Sequence, residues 1–340
     1  MRAVVARELG PPDGFSIEEI PDAEPGPGEA RVAVKAAGIA FVDVLVATGQ
    51  YQLKPPVPFV PGTEIAGIVE AVGPGVDERL VGQRVIAVTM GGAFAEKCIV
   101  RATDLFSMSD RMSFEEGAVF FTSYATAYHA LVDRANLQVG ESVVILGAGG
   151  AVGLAAVQIA KALGAFVIAS ASSEEKRAMG IESGADAAIV SRASDWRNQV
   201  KMANGSKPVD VVLDPVSGEE TENAFRSLGW GGRHLIIGFA SGSIARLPVN
   251  LPLLKGAAMI GVDIRQALEK DLNLKARIAD ALFKMFEQGK LKPRIAKSYA
   301  IEQFATAMKA VASGKDAGRT VLVIDALCET THDEVKLKGR

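Results

Sequence analysis

A glycine-rich segment in the middle of the chain joins an apolar run with strand character to an apolar run with helix character. The segment is Gly147–Gly153, preceded by residues 142–146 and followed by residues 154–160. Its spacing, Gly-x-x-Gly-x-x-Gly, departs from the usual Gly-x-Gly-x-x-Gly. Glycine permits a tight turn and a close approach of the backbone to a ligand, and the N–H groups of a helix start attract anions. The segment therefore predicts a site for the diphosphate of a dinucleotide; a glycine turn without a ligand is the alternative.

The residues around this segment alternate between strand and helix patterns. We predict strands at 142–146, 165–170, 209–213 and 233–238, and helices at 152–163, 174–183 and 219–228. Repeated βαβ units imply a parallel sheet with helices on both faces. We therefore expect an α/β, Rossmann-type doubly wound sheet in a domain of residues 123–264.

The first 120 residues have a different, β-rich pattern. Strands are predicted at 29–36, 64–72 and 84–88, and Gly and Pro residues separate them. Ser113 and the acidic residues after it indicate a helix start, from which a helix is expected to run to about Arg134. Later helices at about 267–288 and 301–313, and a strand at 320–324, could return to the first domain. We expect a β-rich domain made of residues 1–122 with about 265–340.

Composition excludes several classes of protein. A chain of 340 residues suggests two domains. The net charge is −3 and no run of five Lys or Arg occurs, which argues against a nucleic-acid partner. No stretch of 18 apolar residues predicts a membrane span, and no signal peptide is evident. With only two cysteines, a disulfide framework is not expected, and we predict a cytoplasmic location.

The end of the second strand of the Rossmann-type domain indicates which nicotinamide cofactor binds. An NAD site usually has an acid about 20 residues after the glycine loop, where it binds the ribose 2′-OH. Here Ser172 and Ser173 stand at that point, followed by Lys176, with Arg177 and Arg192 as further cations. Hydroxyls and cations favour a 2′-phosphate, so NADPH is predicted. The alternative is that a serine only caps the next helix and that the lysine is a solvated surface charge.

Groups that bind zinc or perform nucleophilic catalysis are not evident in the sequence. The cysteines, Cys98 and Cys328, are far apart, and the histidines, His129, His234 and His332, show no ligand spacing. We expect no metal, and we interpret Cys98 as a small hydrophobic residue and His129 and His234 as packed or surface residues. No catalytic acid or base is assigned, because in hydride transfer the cofactor carries the chemistry.

Several motifs together are similar to those of one enzyme family. They are Gly38–Asp43, Pro61–Gly67, Gly92–Glu96, the glycine loop, Ser172–Lys176, Asp214–Gly218 and Gly238–Gly242. The chain resembles the zinc-independent quinone oxidoreductases of the medium-chain dehydrogenase/reductase superfamily up to about residue 325. Zinc-dependent relatives carry a histidine ligand where Thr63 stands. The resemblance implies a Rossmann domain and a GroES-like catalytic domain.

The resemblance also implies which residues face the cofactor. It assigns the diphosphate to Gly150, Ala151 and Val152, and the 2′-phosphate to Ser172 and Lys176, with Ser191 where the family often has a tyrosine. The nicotinamide end would be contacted by Thr126, Phe239, Asn250, Val262 and Asp263.

The resemblance places the substrate cleft between the domains, beside Phe41, Tyr51 and Thr63. Tyr51 could donate to a carbonyl or could only cover the edge of the core. The family commonly has an asparagine where Ala40 stands, and an apolar wall there suits a flat acceptor. We predict NADPH-dependent hydride transfer to a quinone or conjugated enone. An enoyl-thioester or 2-alkenal reductase is the first alternative, and a non-catalytic NADPH-binding or sensor protein is the second. The resemblance also implies a homodimer formed through the apolar segment 257–262.

Overall fold

The computed structural model describes residues 1–271 and 273–324. In chain order the strands are β1 (Arg2–Val5), β2 (Ser16–Glu19), β3 (Glu29–Ile39), β4 (Glu64–Val72), β5 (Arg84–Val88), β6 (Lys97–Arg101), β7 (Leu105–Ser107), β8 (Ser142–Leu146), β9 (Phe166–Ala171), β10 (Ala187–Val190), β11 (Val209–Asp214), β12 (Leu228–Ile236), β13 (Ala258–Gly261), β14 (Ile295–Ala300) and β15 (Arg319–Val323). The α-helices are α1 (Phe41–Ala47), α2 (Phe114–Gly117), α3 (Phe121–Tyr128), α4 (Ala151–Ala162), α5 (Glu174–Glu182), α6 (Trp196–Ala203), α7 (Glu220–Ser227), α8 (Asn250–Lys255), α9 (Ile264–Lys270), α10 (Leu274–Glu287) and α11 (Phe304–Ser313).

The chain divides into two compact units. The first contains Met1–Phe121 and the described residues 295–324, and the second contains Thr122–Arg294. Among the described residues, no helix combines the length and the apolar character that crossing a membrane requires.

The second unit is built on a six-stranded sheet in the order β10-β9-β8-β11-β12-β13, with every pair parallel. This is the doubly wound order in which the first strand of the unit, β8, lies beside the fourth, β11. Every residue of β8 is buried, as its uniform apolar run predicts for a strand covered on both faces. The strand order therefore reverses between β8 and β11. The loops after those two strands meet at the carboxyl edge of the sheet.

The first unit contains a mostly antiparallel sheet in the order β14-β15-β3-β4-β5-β7, and β6 also pairs with β3. Strand β3 alternates buried and partly exposed residues over most of its length, as the polar–apolar alternation of its sequence predicts. Helix α11 packs its buried residues Phe304, Ala307 and Met308 into the apolar core of this unit. The Rossmann-type sheet and the β-rich domain predicted from the sequence are both confirmed.

The single helix predicted from Phe114 to Arg134 is wrong. Ser113 does cap a helix start, because its Oγ accepts a hydrogen bond from Glu116 N at 3.1 Å. Helix α2 ends at Gly117, however, where a Cβ would lie 2.7 Å from Met108 Sδ and 3.0 Å from Ala66 Cβ. This close packing holds the end of α2 against the sheet, and the chain turns before α3 begins. Directly after α3, residues His129–Arg134 wind as a π-helix.

The helix predicted at about 267–288 is two helices, α9 and α10. Helix α9 begins earlier because Asp263 Oδ1 caps it by accepting from Gln266 N at 3.0 Å. It ends at Lys270, and the backbone of the next residue, Asp271, is extended. Helix α10 belongs to the second unit, where Arg277 Nη2 contacts Asp133 Oδ1 at 2.9 Å. The return to the first unit thus begins at Ile295 and not near residue 265. The predicted end of that domain, residue 340, lies outside the described residues.

Candidate functional site

The glycine loop forms a tight backbone turn that leaves no room for side chains at two positions. Gly147 has a φ of +60°, a conformation that favours glycine. A Cβ on Gly153 would lie 2.2 Å from the carbonyl oxygen of Gly147. Ala148 N donates to Ser170 O at 3.1 Å, which ties the loop to β9. The loop is thus held in place by backbone contacts, and it brings the start of α4 to the carboxyl edge of the sheet.

The start of α4 is arranged to bind an anion. Gly150 occupies the N-cap position and is exposed, and Ala151 and Val152 in the first turn are partly exposed. The first N–H groups of a helix have no partner within the helix, and the positive end of the helix dipole lies there. With no side chain at Gly150, a diphosphate can approach these groups, so the residues present fit the diphosphate of a dinucleotide.

Lys176 lies directly against the glycine loop. A Cβ on Gly149 would be 2.5 Å from Lys176 Cγ and 2.6 Å from Lys176 Cβ. Lys176 N donates to Ser173 Oγ at 3.3 Å, so Ser173 caps α5, whereas Ser172 is an exposed residue directly after β9. The structure therefore brings the Lys176 side chain against the glycine loop that precedes α4, and it leaves Ser172 exposed at the end of β9.

Ser191 reaches the same edge of the sheet from the next strand. Its N–H donates to Ala171 O at 3.1 Å, one residue before Ser172. The following residue, Arg192, has a φ of +57° and donates its N–H to Glu220 Oε1. Burial raises the pKa of the Glu220 carboxyl, and the hydrogen bond from Arg192 N opposes that rise. The ends of β8, β9 and β10 thus present the predicted phosphate-binding residues together.

A buried pair that the sequence analysis did not identify holds the loop after β11. Asp214 accepts hydrogen bonds from Ser217 N at 2.7 Å, Thr221 Oγ1 at 2.8 Å and His234 Nε2 at 3.0 Å. Burial raises the pKa of Asp214, but these hydrogen bonds outweigh it, and the pKa lies below its usual value. His234 is fully buried, so the interpretation as a packed histidine is confirmed. The sequence signal that could have identified this pair is a carboxylate at the end of one predicted strand and a histidine in the next predicted strand.

The loop held by Asp214 packs against the glycine loop. A Cβ on Gly147 would lie 2.8 Å from Val216 Cγ2. Asp214 also accepts from Val216 N at 2.9 Å. The buried carboxylate of Asp214 therefore fixes Val216 at the point between β8 and β11 where the strand order reverses. Doubly wound folds bind their ligands at this point.

The residues predicted for the nicotinamide end occupy different parts of the second unit. Thr126 is buried in α3, where its Oγ1 donates to Thr122 O at 2.7 Å. Phe239 follows β12 and is 48% exposed, and Val262 follows β13 and donates its N–H to Ile236 O at 2.9 Å. The structure thus brings these two to adjacent strand ends.

The remaining two residues predicted for the nicotinamide end lie at helix starts. Asn250 is exposed at the first residue of α8. Asp263 is exposed and uses its carboxylate to cap α9, as described above.

In the first unit, Thr63 is held by a buried carboxylate. Thr63 Oγ1 donates to Asp43 Oδ1 at 2.8 Å, and Ala40 N donates to Asp43 Oδ2 at 2.7 Å. Asp43 is only 2% exposed. Burial raises the pKa of Asp43 to about 6, although the hydrogen bonds from Ala40 and Thr63 and the charge of Arg319 act in the opposite direction. Thr63 was predicted as a substrate residue from the sequence, whereas Asp43 was not.

A second buried carboxylate and an arginine lie beside Thr63 and Asp43. Arg319 Nη2 lies 3.6 Å from Glu64 Oε2, and both side chains are almost completely buried. We call Asp43, Thr63, Glu64 and Arg319 the buried carboxyl cluster. Burying charged groups is costly unless they are paired. A buried cluster of titratable groups of this kind is therefore a candidate for a functional site.

The other two predicted substrate residues lie near the cluster in sequence. Phe41 is the first residue of α1 and is 38% exposed. Tyr51 is partly buried after α1, and its N–H donates to Leu45 O at 3.1 Å.

Residues that could bind a metal are not grouped in the part of the chain that the structure describes. His129 Nδ1 is instead 2.8 Å from Asp133 Oδ2. Cys98 is buried, and burial raises the pKa of its thiol to about 12, which agrees with its interpretation as a small hydrophobic residue. Cys328 and His332 lie outside the described residues.

Comparison with known proteins shows the relationship of this chain. Residues 26–133 match the family described as "Alcohol dehydrogenase GroES-like domain", and residues 151–277 match "Zinc-binding dehydrogenase". Quinone oxidoreductase-like protein 2 of Rattus norvegicus is 36% identical over 322 residues, which cover 94% of this chain and 91% of that protein. The chain belongs to the quinone oxidoreductase family of the medium-chain dehydrogenase/reductase superfamily.

Solved structures of this superfamily agree with that assignment. The quinone oxidoreductase of Thermus thermophilus, solved also in complex with NADPH, superposes with a TM-score of 0.84 at 30% identity, covering 95% of this chain and 100% of that one. CurK enoyl reductase superposes with a TM-score of 0.86 at 26% identity, covering 95% and 98%. The family resemblance and the fold class predicted from the sequence are confirmed. As a member of this superfamily, the protein is an oxidoreductase that uses a nicotinamide cofactor.

Proposed function

We propose that the protein is an NADPH-dependent oxidoreductase that transfers a hydride to a quinone or a conjugated enone without zinc. The choice of cofactor is supported by the position of Lys176 against the glycine loop and by Ser172, which is exposed directly after β9. Glu174 and Glu175 come only after the cap of α5, so no acid takes the place at the end of β9 where NAD sites use one. A carboxylate there would repel a 2′-phosphate, whereas an ammonium and a hydroxyl attract it.

In this proposal, different residues of the second unit bind different parts of the cofactor. Gly150, Ala151 and Val152 bind the diphosphate, and Ser172, Lys176 and Ser191 bind the 2′-phosphate. The nicotinamide end is contacted by Thr126, Phe239, Asn250, Val262 and Asp263. When bound, NADPH supplies a hydride. The protein orients the cofactor and stabilises the charge that develops on the acceptor.

The residues of the first unit position the acceptor in this proposal. The exposed ring of Phe41 offers an apolar surface to a flat molecule, and Tyr51 and Thr63 offer hydroxyl groups to its oxygen. Hydrogen bonds to a developing oxyanion are strong when the donors are held in place beforehand. Thr63 meets that condition when Asp43 is protonated, because the Asp43 carboxyl group then holds Thr63 Oγ1 at 2.8 Å and leaves the hydroxyl hydrogen free for the acceptor.

Steady-state reduction of 1,4-naphthoquinone, a 2-alkenal and crotonyl-CoA by NADPH tests the proposal. We expect the naphthoquinone or the alkenal to give the highest kcat/KM, and the same acceptors with NADH to react more slowly. A preference for crotonyl-CoA would instead identify an enoyl-thioester reductase, an alternative that the superposition on CurK enoyl reductase favours. Tight NADPH binding without turnover of any acceptor would identify the non-catalytic alternative and overturn the proposal.

We propose a homodimer formed through the edge strand β13. That strand is bonded on one side to β12, and its Met259 is 37% exposed. Trp230 and Leu253 nearby in the same unit are 86% and 79% exposed. A β-strand edge flanked by exposed apolar side chains needs cover, and a second copy of the chain supplies it.

The cytoplasmic location expected from the sequence stays a prediction. Fractionation of cells that express the protein would check it.

A further inference from the structure

The buried carboxyl cluster contains a hydroxyl and a carboxyl group in an order suited to moving a proton. Thr63 is partly buried and forms the outer end, and Asp43 is buried behind it at 2.8 Å from Thr63 Oγ1 to Asp43 Oδ1. Because Ala40 N donates to Oδ2, that oxygen is an acceptor, and a proton on Asp43 resides on Oδ1, facing Thr63. The two hydrogen bonds therefore give an acid proton on Oδ1 a path outward through the threonine hydroxyl.

We propose that Asp43 and Thr63 form a proton relay that delivers the proton accompanying the hydride to the oxygen of the acceptor. Thr63 is the residue that touches the substrate, and Asp43 acts through it. This inference rests on the proposed function, because it assigns the proton source that the hydride reaction needs. Nothing in the sequence had suggested an acid for this step.

Atoms and electrons balance in this relay. The acceptor gains two electrons with the hydride, and negative charge develops on its oxygen. The Thr63 Oγ–H bond breaks as an O–H bond forms on the acceptor, while the Asp43 Oδ1–H bond breaks and its proton moves to Thr63 Oγ1. A quinone becomes a hydroquinone and an enone becomes an enol, which converts to the saturated carbonyl compound in solution. The Asp43 carboxylate then takes a proton from solvent through the same hydroxyl.

The protonation state of Asp43 also sets the direction in which Thr63 donates. An ionised Asp43 only accepts, so the hydroxyl hydrogen of Thr63 points toward it and away from a substrate. A protonated Asp43 donates to Thr63 Oγ1 and frees the hydroxyl hydrogen for the acceptor. Proton delivery and oxyanion binding therefore both require the protonated form.

The charged groups around Asp43 are compatible with a proton-bearing state at about pH 6 and below. Arg319 on β15 favours the carboxylate, but Glu64 on β4 lies 3.6 Å from that guanidinium and offsets part of its charge. Helix α11, which packs on α1, carries Lys309, and that side chain is engaged with Asp13. Burial outweighs Arg319, so the pKa of Asp43 is raised to about 6.

The first test is the pH profile of kcat/KM for 1,4-naphthoquinone with NADPH, between about pH 5 and pH 8. The wild-type value should fall about tenfold per pH unit above the pKa of Asp43. Asp43→Asn and Thr63→Val should each lower kcat/KM at the acid end by about tenfold or more and remove this fall. Thr63→Ser, which keeps the hydroxyl, should retain the wild-type profile.

A matched control is Asp77→Asn, which removes an exposed carboxylate that contacts Arg79 in the first unit. It should leave the profile unchanged. If the wild-type protein turns over and the profiles of Asp43→Asn and Thr63→Val match it, the relay is wrong while the proposed function stands. If the wild-type protein reduces no acceptor, the proposed function fails and the relay with it.

The second test needs no cofactor and keeps the relay falsifiable if a variant loses activity through misfolding. Infrared difference spectra of the cofactor-free protein should show a carboxylic acid C=O band that titrates near pH 6, in agreement with the pKa of about 6 for Asp43. The band should be missing in Asp43→Asn and shifted in Thr63→Val, because the acid loses its acceptor. A spectrum without a titrating band, or a band unmoved in Thr63→Val, would overturn the relay.

Discussion

At the scale of single residues, the surroundings of Asp43 determine the pKa of its carboxyl group. The carboxyl group is withdrawn from water, two hydrogen bonds hold it, and its pKa is raised to about 6. Asp22 and Asp77 differ in that they are solvent-exposed and paired with cations, which lower the pKa of each to about 2. The same residue type thus serves as a proton carrier in one place and as an ordinary ion-pair partner in others.

The raised pKa of Asp43 predicts a pH dependence of stability. Because the folded protein binds this proton more tightly than the unfolded chain, the stabilisation is full below about pH 4 and is lost as pH rises through about 6. Relative to Asp43→Asn, the free energy of unfolding of the wild type should fall by about 1–2 kcal/mol between about pH 5 and pH 8. Urea unfolding of both proteins across that range measures this, and parallel curves would contradict it.

The position of Lys176 predicts a selective loss of affinity for NADPH. Replacing Lys176 by alanine removes a charged hydrogen-bond donor, which is worth about 1.5–3 kcal/mol. The Kd for NADPH should rise about 10- to 100-fold, whereas the Kd for NADH should change little. Titration calorimetry measures both. Lys201→Ala, an exposed lysine on α6, is the matched control and should change neither value.

Part of this site could be predicted from the sequence, because its residues carry local signals. Glycines between a strand and a helix, and a serine and a lysine at a strand end, are close in sequence and can be recognised. Asp43, Arg319 and Glu64 are far apart along the chain, and only the pairing of β15 with β3 and of β3 with β4 brings them together. The burial that makes Asp43 unusual is a tertiary property.

At the scale of elements, the backbone of the glycine loop packs directly against the first turn of α4 at Gly153. The predicted strands 64–72, 84–88 and 142–146 agree with the structure, because alternation and apolar runs are properties of the strand itself. The break between α2 and α3 could not be predicted in the same way. Gly117, the last residue of α2, packs closely against Met108 and Ala66, which come from other parts of the chain.

Gly153→Ala should damage the turn. The new Cβ would lie 2.2 Å from Gly147 O, so the loop must move away from α4. We expect the free energy of unfolding to fall by about 1–3 kcal/mol, as for overpacked cores, and NADPH binding to weaken. Thermal unfolding and calorimetry check the two effects. Gly14→Ala, where a Cβ would meet nothing within 4 Å, is the control; equal behaviour of the two variants would contradict the close approach.

At the scale of the whole molecule, the proposed function assigns different tasks to the two units. The second unit contains the parallel sheet and the residues proposed to bind NADPH, and the first contains the buried carboxyl cluster. The apolar residues exposed near β13 belong to the second unit, and the proposed dimer would cover them.

The edge strand β13 predicts the oligomeric state. Light scattering should give twice the 35.6 kDa of one chain. Met259→Lys places a charge on the proposed interface and should shift the mass toward that of one chain, because a buried unpaired charge is costly. Met202→Lys is the control, since Met202 is exposed on α6, which lies outside that interface. A wild-type mass equal to that of a single chain would contradict the proposed dimer.

Calorimetric titration of the full-length protein with NADPH and with NADH tests the central claim most directly. That claim is that the helix start of α4 binds the diphosphate while Ser172 and Lys176 select the extra phosphate. We predict that NADPH binds at least about tenfold more tightly than NADH, the difference that one charged hydrogen bond supplies. Tighter binding of NADH, or no heat with either nucleotide, would contradict it.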